Sequence, residues 1–373
     1  MNFDLNDEQR QLADSVARFL NERYDFEARK HIIRSDSGMS DAVWQQLAEL
    51  GILSLPFSEA AGGFGGGAVD LMGAMQSAGV ALLVEPLLPN LLAGRLVDRQ
   101  GTPAQHAAWL APLMDGSGRL ALATGEDGTR YQLAPLATRA TREGQGWKLS
   151  GIKRVVWGAP QAQHLVVSAG TDGGGVSLFV VPFNAPGVQL SAYRTMCNQR
   201  AADVRLDDVV LDSDAMLGAP GESLAALEAA MDFGLALLCA EGVGAMQYAN
   251  DTTLEYIKTR KQFGVAIGSF QVLQHRMVDM VIATEQARSM CFLACSKVDG
   301  STDPVERARA VSAAKIKVAD AARLVSQEAV QMHGGIGMTD ELKVSHTFRR
   351  LTMLAQQYGD ADHHLERFAA LDR

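Results

Sequence analysis

Four long segments with helical spacing of apolar residues dominate the C-terminal part of the sequence. The first runs from Glu222 to Arg260, and the others cover residues 271–298, 305–332 and 341–358. Apolar residues at every third or fourth position form a stripe along each helix. A helix as long as the first would extend roughly 55 Å at about 1.5 Å per residue. Because such helices bury their stripes against one another, residues 219–373 are predicted to form a C-terminal four-helix bundle.

The first 117 residues show helical spacing in shorter segments. Helices are predicted over residues 5–21, 41–50, 69–83 and 87–99. The glycine-rich stretch Gly62–Gly67 separates two of them, and it lacks both the preceding strand and the lysine of a phosphate-binding loop. Residues 1–117 are therefore predicted to form an N-terminal all-helical domain.

Between residues 118 and 218 the apolar residues recur with a period near two, which is typical of strands. The glycine-rich stretch Thr171–Gly175 lies between two such segments, 165–168 and 176–181, and predicts a hairpin. These residues are predicted to form a middle β-barrel domain. Together with the helical segments on either side, they make the fold class α+β, mainly α.

Composition limits the range of functions. The chain has 373 residues, of which 47% are hydrophobic, so each domain can bury a core. Its net charge of −9 argues against a nucleic-acid surface, because phosphate binding relies on clustered Lys and Arg. No signal peptide is recognisable, and no apolar run approaches the roughly 20 residues of a membrane helix. A soluble, cytoplasmic protein is expected, in which Cys291 and Cys295 are packing residues.

The junction between the first two bundle helices carries side chains suited to a nucleotide. Arg260 offers the planar set of donors that binds pyrophosphate. Phe263 adds a flat apolar face, and Gln271 places an amide at the start of the next helix. The alternative is a basic helix end closed by Gly264, which many soluble helices show.

The complete string Arg260–Gln271, RKQFGVAIGSFQ, resembles the RKxFGxxIGxFQ segment of acyl-CoA dehydrogenases. A second block, Gln331–Gly337, is similar to the QxxGGxG turn of that family. The stretches Phe3–Gln9 and Trp44–Gly51 resemble its opening helices. With four motifs in the family's order, the chain is identified as a member of this family.

The resemblance implies FAD as the cofactor, an acyl-CoA as the substrate and an electron-transferring flavoprotein as the electron acceptor. In the family's reaction a carboxylate base removes an α-proton while a hydride passes from the β-carbon to flavin N5. The resemblance also implies a homotetramer, or a heterotetramer with a second acyl-CoA dehydrogenase-like chain. The residues that it assigns to FAD binding are Arg260, Phe263, Gly264, Gln271, Gln331, Met332, His333, Gly334, Gly335, Thr124 and Trp157.

The two FAD positions in the middle domain depart from the family's pattern. The Thr-Glu-Pro-Gly-Ala-Gly-Ser-Asp type loop corresponds to Ala123–Arg130, which keeps Thr124 but lacks the glycine–serine part. The Lys-x-Trp-Ile-Thr segment corresponds to Lys153–Trp157, so an indole replaces the threonine that bonds flavin N5 in relatives. Either the flavin sits differently against this domain, or the domain does not hold a working flavin ring.

The catalytic base is missing at both positions where the family carries it. The Tyr-Glu-Gly-Thr segment corresponds to Tyr358–Ala361, with Gly359 in place of the glutamate, and the alternative helix position falls near Gly234. Asp360 is the nearest carboxylate in sequence and the candidate for an altered base, and a helix N-cap is its alternative role. Other carboxylates nearby are Asp232, Glu241 and Asp362. The pair His363–His364 lacks further ligands at the spacing of a metal site.

Three functions fit this pattern. The first is an independent acyl-CoA dehydrogenase that uses Asp360 as its base. The second is the base-lacking small subunit of a heteromeric acyl-CoA dehydrogenase, such as the pimeloyl-CoA type, in which another chain carries the base. The third is a flavoenzyme acting on a substrate that is not a thioester. The second is favoured, because the motifs for the adenosine side of FAD are kept while the base is lost.

Overall fold

The computed structural model describes residues 5–134 and 136–371. Phe3 and Asp4 of the predicted opening motif lie outside the described residues. The chain divides into two compact units. The helical unit consists of Met1–Arg29, Gly67–Leu83 and Leu235–Arg373, and the sheet unit consists of Lys30–Gly66 and Val84–Gly234.

Eight of the helices follow the predicted periodicity, and two short helices and two longer ones are additions. They are α1 Asp7–Arg23, α2 Phe26–Arg34, α3 Asp41–Glu49, α4 Ala68–Ala81, α5 Leu87–Gln100, α6 Pro103–Gln105, α7 Ala111–Met114, α8 Leu224–Thr259, α9 Gln271–Gly300, α10 Pro304–His333, α11 Lys343–Gln356 and α12 Ala361–Ala370. The periodicity did not predict α2 or α12. No helix among the described residues is both long and apolar enough to cross a bilayer.

The first helix shows how local sequence fixes an element. The side chain of Asn6 accepts a hydrogen bond from the backbone N–H of Gln9 at 2.8 Å, and the side chain of Gln9 accepts one from the N–H of Asn6 at 2.9 Å. This capping box satisfies two N–H groups that have no partner within the helix. Helix α1 then packs on α4 and buries Val16 and Leu20.

The strands form one eight-stranded sheet and one small hairpin. They are β1 Leu120–Ala123, β2 Arg139–Glu143, β3 Gly146–Trp157, β4 His164–Thr171, β5 Val176–Pro182, β6 Val188–Arg194, β7 Arg200–Leu211, β8 Met216–Leu217, β9 Lys261–Gln262 and β10 Val265–Ala266. The order in the sheet is β6-β7-β3-β2-β4-β5-β8, and β1 pairs in parallel with β4. Strands β4 and β5 are antiparallel neighbours, which confirms the predicted hairpin.

The four predicted bundle helices are α8, α9, α10 and α11, each within a few residues of the predicted bounds. Helix α10 packs against α9, α11 and α12. Its buried face is rich in alanine, which lets neighbouring helices approach closely. Cys291 and Cys295 are fully buried on α9, consistent with a role in packing. The mainly helical, three-domain fold predicted from the sequence is confirmed.

Candidate functional site

The junction after α8 forms a small exposed hairpin. Strands β9 and β10 pair through a turn in which Phe263 and Gly264 have positive φ angles of 54° and 84°. The Phe263 side chain is 91% exposed. Arg260 is tied into this hairpin, because its N–H donates to the Tyr256 carbonyl at 2.8 Å and its carbonyl accepts from the Ile267 N–H at 2.9 Å. The structure thus places Arg260, Phe263 and Gly264 on one exposed hairpin just before Gln271, the first residue of α9.

The predicted glycine turn follows the end of α10. Gly334 has a φ of 68°, and a Cβ added to Gly334 or Gly335 would meet no described atom within 4 Å. Gln331 is exposed, whereas Met332 and His333 are buried. A ligand could therefore meet this turn through the Gln331 side chain and the backbone of the two glycines.

One aromatic contact brings the two motifs of the helical unit together. The ring of Tyr256, on the last turns of α8, stacks on the ring of His333 with centroids 4.4 Å apart. Arg260 lies one helical turn after Tyr256, and Gly334 directly follows His333. The site offers hydrogen-bond donors from a guanidinium and from accessible glycine backbone, and it also has an exposed aromatic ring. These groups together fit a dinucleotide.

In the sheet unit, Thr124 follows β1 next to a buried ion pair. The Nζ of Lys153 donates to Glu126 Oε1 at 2.6 Å, to Ser168 Oγ at 3.1 Å and to the Thr124 carbonyl at 3.4 Å. The Lys153 side chain is completely buried. Glu126 also accepts the backbone N–H groups of Ala137 and Thr138. This network attaches the loop of Thr124 to strand β3, which contains Lys153.

Both members of this pair are charged at neutral pH. Burial lowers the pKa of Lys153 to about 8, and the Glu126 carboxylate opposes that shift. Burial also works against ionisation of Glu126, but the hydrogen bond and charge of Lys153 hold the pKa of this carboxyl below its usual value. The charged pair holds the loop of Thr124 in place, because separating the two residues would leave a buried charge without its counterion.

The strand residues after Lys153 carry backbone strain. Val155 has a φ of 51° at an irregularity in the pairing of β3 with β7, and positive φ is rare for a β-branched residue. Its N–H donates to Asp203 Oδ1 at 3.1 Å, and Arg154 pairs with both Asp127 and Asp203 at 2.8 and 2.7 Å. Strain of this kind persists where the surroundings impose it, often at functional positions. Trp157 follows in β3 and is buried.

The turn that contains Gly359 lies at the end of α11 and is held by a buried lysine, Lys315. The Nζ of Lys315 donates to the carbonyls of Leu354, Ala355 and Gly359 at 3.0, 3.1 and 2.8 Å. Burial lowers the pKa of Lys315 to about 8. These bonds tie the last turn of α11 to the turn that follows it, and the Leu354 carbonyl also accepts the backbone N–H of Gln357 at 3.3 Å.

Glu241 forms a second buried ion pair next to this turn. Arg350 binds it through two parallel hydrogen bonds of 2.5 and 2.8 Å and also donates to Gln357 Oε1 at 3.0 Å. Both carboxylate oxygens of Glu241 are therefore occupied by Arg350. This geometry gives Glu241 a structural role in the helical unit.

Asp360 is the N-cap of α12. Its Oδ1 accepts the backbone N–H of His363 at 2.8 Å, which is the N-cap geometry that the sequence offered as an alternative to catalysis. Asp362 is exposed in the first turn of the same helix, and Asp232 is fully buried in the sheet unit. At Gly234 an added Cβ would overlap the side chain of Leu92, so α8 has no space there for an acidic side chain.

The sequence analysis missed the two buried lysines and the Glu241–Arg350 pair. Lys153 and Lys315 each interrupt an otherwise apolar stripe, and this interruption was the available signal. Their partners lie 15 to 44 residues away in sequence, and Arg350 lies 109 residues from Glu241. Periodicity does not report contacts at such separations.

Family models match nearly the whole chain. The models "Acyl-CoA dehydrogenase, N-terminal domain", "middle domain" and "C-terminal domain" match residues 6–117, 121–209 and 224–370. The acyl-CoA dehydrogenase FadE12 of Mycobacterium tuberculosis is 33% identical over 344 residues, which cover 90% of this chain and 87% of FadE12.

Solved structures agree over the full length. The ChsE4–ChsE5 complex from Mycobacterium tuberculosis has a TM-score of 0.90 at 25% identity, covering 99% of this chain and 98% of the matched chain. The FAD complex of PigA has a TM-score of 0.91 at 27% identity, with coverage of 99% and 98%.

Proposed function

Since the chain belongs to the acyl-CoA dehydrogenase family, we propose that it serves as the base-lacking subunit of a heteromeric acyl-CoA dehydrogenase. A second chain of the same family supplies the carboxylate that removes the α-proton. The observation that carries this proposal is Gly359 at the position of the base, with Glu241 and Asp360 engaged in structural bonds. The similarity to ChsE4–ChsE5, a complex of two chains, supports it.

FAD is the cofactor of this flavoprotein family, and the chain keeps residues suited to it. When bound, FAD supplies the acceptor for the hydride that leaves the β-carbon of the acyl thioester. Arg260 would bind the pyrophosphate through its guanidinium, and the open backbone of Gly334 and Gly335 would bind the adenosine side. Thr124 and Trp157 remain predicted contacts of the flavin ring. An electron-transferring flavoprotein as acceptor and a cytoplasmic location also remain predictions.

A second candidate is an independent dehydrogenase with Asp360 as its base. Asp360 directly follows Gly359, and its charge interacts with the buried ammonium of Lys315.

Anaerobic flavin reduction by acyl-CoAs of several chain lengths separates the two candidates. The purified chain alone should bleach its flavin slowly or not at all, because removal of a base commonly costs about 100- to 10,000-fold in rate. Activity should appear on co-expression with an acyl-CoA dehydrogenase-like chain that has an intact Tyr-Glu-Gly-Thr segment.

The variant Asp360→Asn keeps a residue that caps helices and removes the charge. Asp362→Asn, in the same turn, is its matched control. Rapid bleaching by the isolated chain that Asp360→Asn abolishes and Asp362→Asn preserves would establish the second candidate. Rapid bleaching that survives Asp360→Asn would defeat both candidates and direct attention to Asp232 or Glu241.

A further inference from the structure

The hairpin that carries Arg260 and the residues after it are packed back onto the end of α8. A Cβ added to Gly268 would lie 2.9 Å from the carbonyl oxygen of Ile257, and Ile257 is 3% exposed. The N–H of Arg260 donates to the Tyr256 carbonyl at 2.8 Å. The backbone of Arg260 is therefore placed by the turn of α8 that contains Tyr256 and Ile257.

The glycine turn is packed in a similar way onto the end of α10. A Cβ added to Gly337 would lie 2.9 Å from the Cβ of His333 and 2.9 Å from the carbonyl oxygen of Val330. The backbone of the turn thus lies directly on His333. Gly334, whose backbone is open to a ligand, is the next residue after His333.

The imidazole of His333 is held in one orientation. Its residue is 4% exposed, and its Nδ1 lies 2.7 Å from the carbonyl oxygen of Ala329. A carbonyl oxygen only accepts hydrogen bonds, so Nδ1 carries a proton. Burial lowers the pKa of His333, and the bond to the Ala329 carbonyl opposes this shift. The ring is therefore mainly neutral near pH 7, with its proton directed at Ala329.

The ring of Tyr256 stacks on this fixed imidazole. The two centroids are 4.4 Å apart and the ring planes differ by 27°. Aromatic pairs in such a geometry stabilise each other beyond the area that they bury. Tyr256 precedes Arg260 by one helical turn, and His333 adjoins Gly334. The stack is thus a direct side-chain contact between the ends of α8 and α10, at the base of both motifs.

The two motifs would hold different parts of one FAD molecule. The guanidinium of Arg260 would bind the pyrophosphate, and the backbone of Gly334 and Gly335 would bind the adenosine side. A site that contacts a ligand at two places gains affinity when both places already have the right separation, because no further ordering is needed on binding. Movement of the end of α8 relative to the end of α10 would misplace one contact while the other is made.

We propose that Tyr256 and His333 are positioning residues for FAD, whose stacked rings hold the Arg260 hairpin and the glycine turn at the separation that the cofactor requires. His333, which the family resemblance assigns to FAD binding, acts through its contact with Tyr256. This inference rests on the part of the proposed function that places FAD against Arg260 and the glycine turn. It does not depend on which chain carries the catalytic base.

Titration of the FAD-free, full-length chain with FAD, followed by flavin fluorescence, measures the effect. If the chain holds FAD only together with its partner chain, the complex is titrated in the same way. Tyr256→Leu should weaken FAD binding about two- to tenfold, the range expected for the loss of one aromatic pair. Tyr256→Phe keeps the ring and should bind FAD as the wild type does.

The other half of the stack gives a second variant. His333→Asn removes the ring and leaves an amide that can donate to the Ala329 carbonyl. Its loss of FAD affinity should match that of Tyr256→Leu. The double variant of Tyr256→Leu with His333→Asn should lose no more than either single variant, because each of them removes the same contact.

A double-mutant cycle with Arg260 separates positioning from a general loss of stability. In the Arg260→Ala background the pyrophosphate contact is absent, so Tyr256→Leu should cost clearly less FAD affinity than it does in the wild type. Tyr248→Leu is the matched control, because Tyr248 lies about two turns earlier on α8 and its ring contacts the Nζ of Lys343 at 4.1 Å. It should lower the Tm of the FAD-free protein without changing FAD affinity.

Two kinds of failure can be told apart. Unchanged FAD affinity in Tyr256→Leu, equal losses with and without Arg260→Ala, or a Tyr256→Phe variant that binds as weakly as Tyr256→Leu would overturn the positioning role. In each of these cases a weakened Arg260→Ala variant leaves the proposed FAD site intact. Unchanged affinity in Arg260→Ala itself would refute the proposed FAD site, and the positioning role with it.

Discussion

Breaking the buried Lys153–Glu126 pair should lower the free energy of unfolding of the sheet unit strongly, and Lys153→Met tests this. The substitution removes a charge-assisted hydrogen bond of 2.6 Å to Glu126 and a bond of 3.1 Å to Ser168. Both bonds have the lysine ammonium as their donor, and hydrogen bonds to charged groups contribute about 1.5–3 kcal/mol each. It also leaves the Glu126 carboxylate buried without its counterion. Loss of one partner of a buried pair costs roughly 3–5 kcal/mol in other proteins, so we expect about 3–4 kcal/mol.

Lys148→Met is the control on the same strand. Lys148 pairs with Glu143 at 3.8 Å, and the two side chains are 35% and 52% exposed. Exposed pairs of this kind contribute about 0–1 kcal/mol. The change of lysine to methionine in β3 is the same in both variants, so β-propensity contributes similarly to each.

Urea unfolding at fixed protein concentration with saturating FAD measures the difference. Tryptophan fluorescence follows the unfolding, since two of the four tryptophans of the chain, Trp147 and Trp157, are buried in β3. The double variant Lys153→Met with Glu126→Gln removes both charges, and it should be more stable than the sum of the two single losses predicts, because neither charge is then left unpaired. If Lys153→Met costs no more than Lys148→Met, or if the two single losses simply add, the pair does not anchor this loop.

Three further results are expected. Arg260→Ala should weaken FAD binding roughly ten- to a hundredfold, whereas Lys258→Ala on the last turn of α8 should not. Gly335→Val should act like Arg260→Ala. Unchanged FAD retention in both variants would refute the role proposed for these residues in FAD binding. Light scattering should report a dimer or tetramer, because exposed valine and isoleucine side chains lie along α9, and a monomer that binds FAD tightly would contradict this. Burial lowers the pKa of His346 to about 4 and of His364 to about 3. Because the unfolded chain then binds more protons below about pH 6.5, the Tm should fall as the pH is lowered from about 7 to 5; a Tm that rises over this range would contradict both shifts.

The regular elements were largely predictable, because periodicity reports burial on one face. The segment predicted at residues 305–332 is the helix Pro304–His333, and the hairpin around Thr171–Gly175 is present. Helix α2 was missed because it begins only three residues after α1 ends. Helix α12 was missed because Gly359 marks the end of the preceding pattern, although Asp360 had been recognised as a possible N-cap.

The polar network of the candidate site could not be predicted, because it depends on pairs that only the tertiary fold creates. In the sequence, Lys315 is one charged residue in an alanine-rich segment. The residues next to it in sequence do not predict that it binds the carbonyls of α11. The missing base stays a prediction from the sequence, because it rests on matching one position to the family's motif.

The hydrogen bonds of the remaining carboxylates indicate whether this chain can supply the catalytic base. A general base gains a proton in each turnover, so the hydrogen bonds that its ionised form accepts are weakened. Protonation of Glu241 would disturb the paired hydrogen bonds from Arg350, and protonation of Asp360 would weaken its cap on the N–H of His363. Each charge-assisted bond contributes about 1.5–3 kcal/mol, and this cost would add to the barrier of proton abstraction. A carboxylate without such structural bonds can serve without this cost, but the sequence match assigns a glycine, Gly359, to the family's position. On the proposed function, the α-proton is accepted by a residue of another chain.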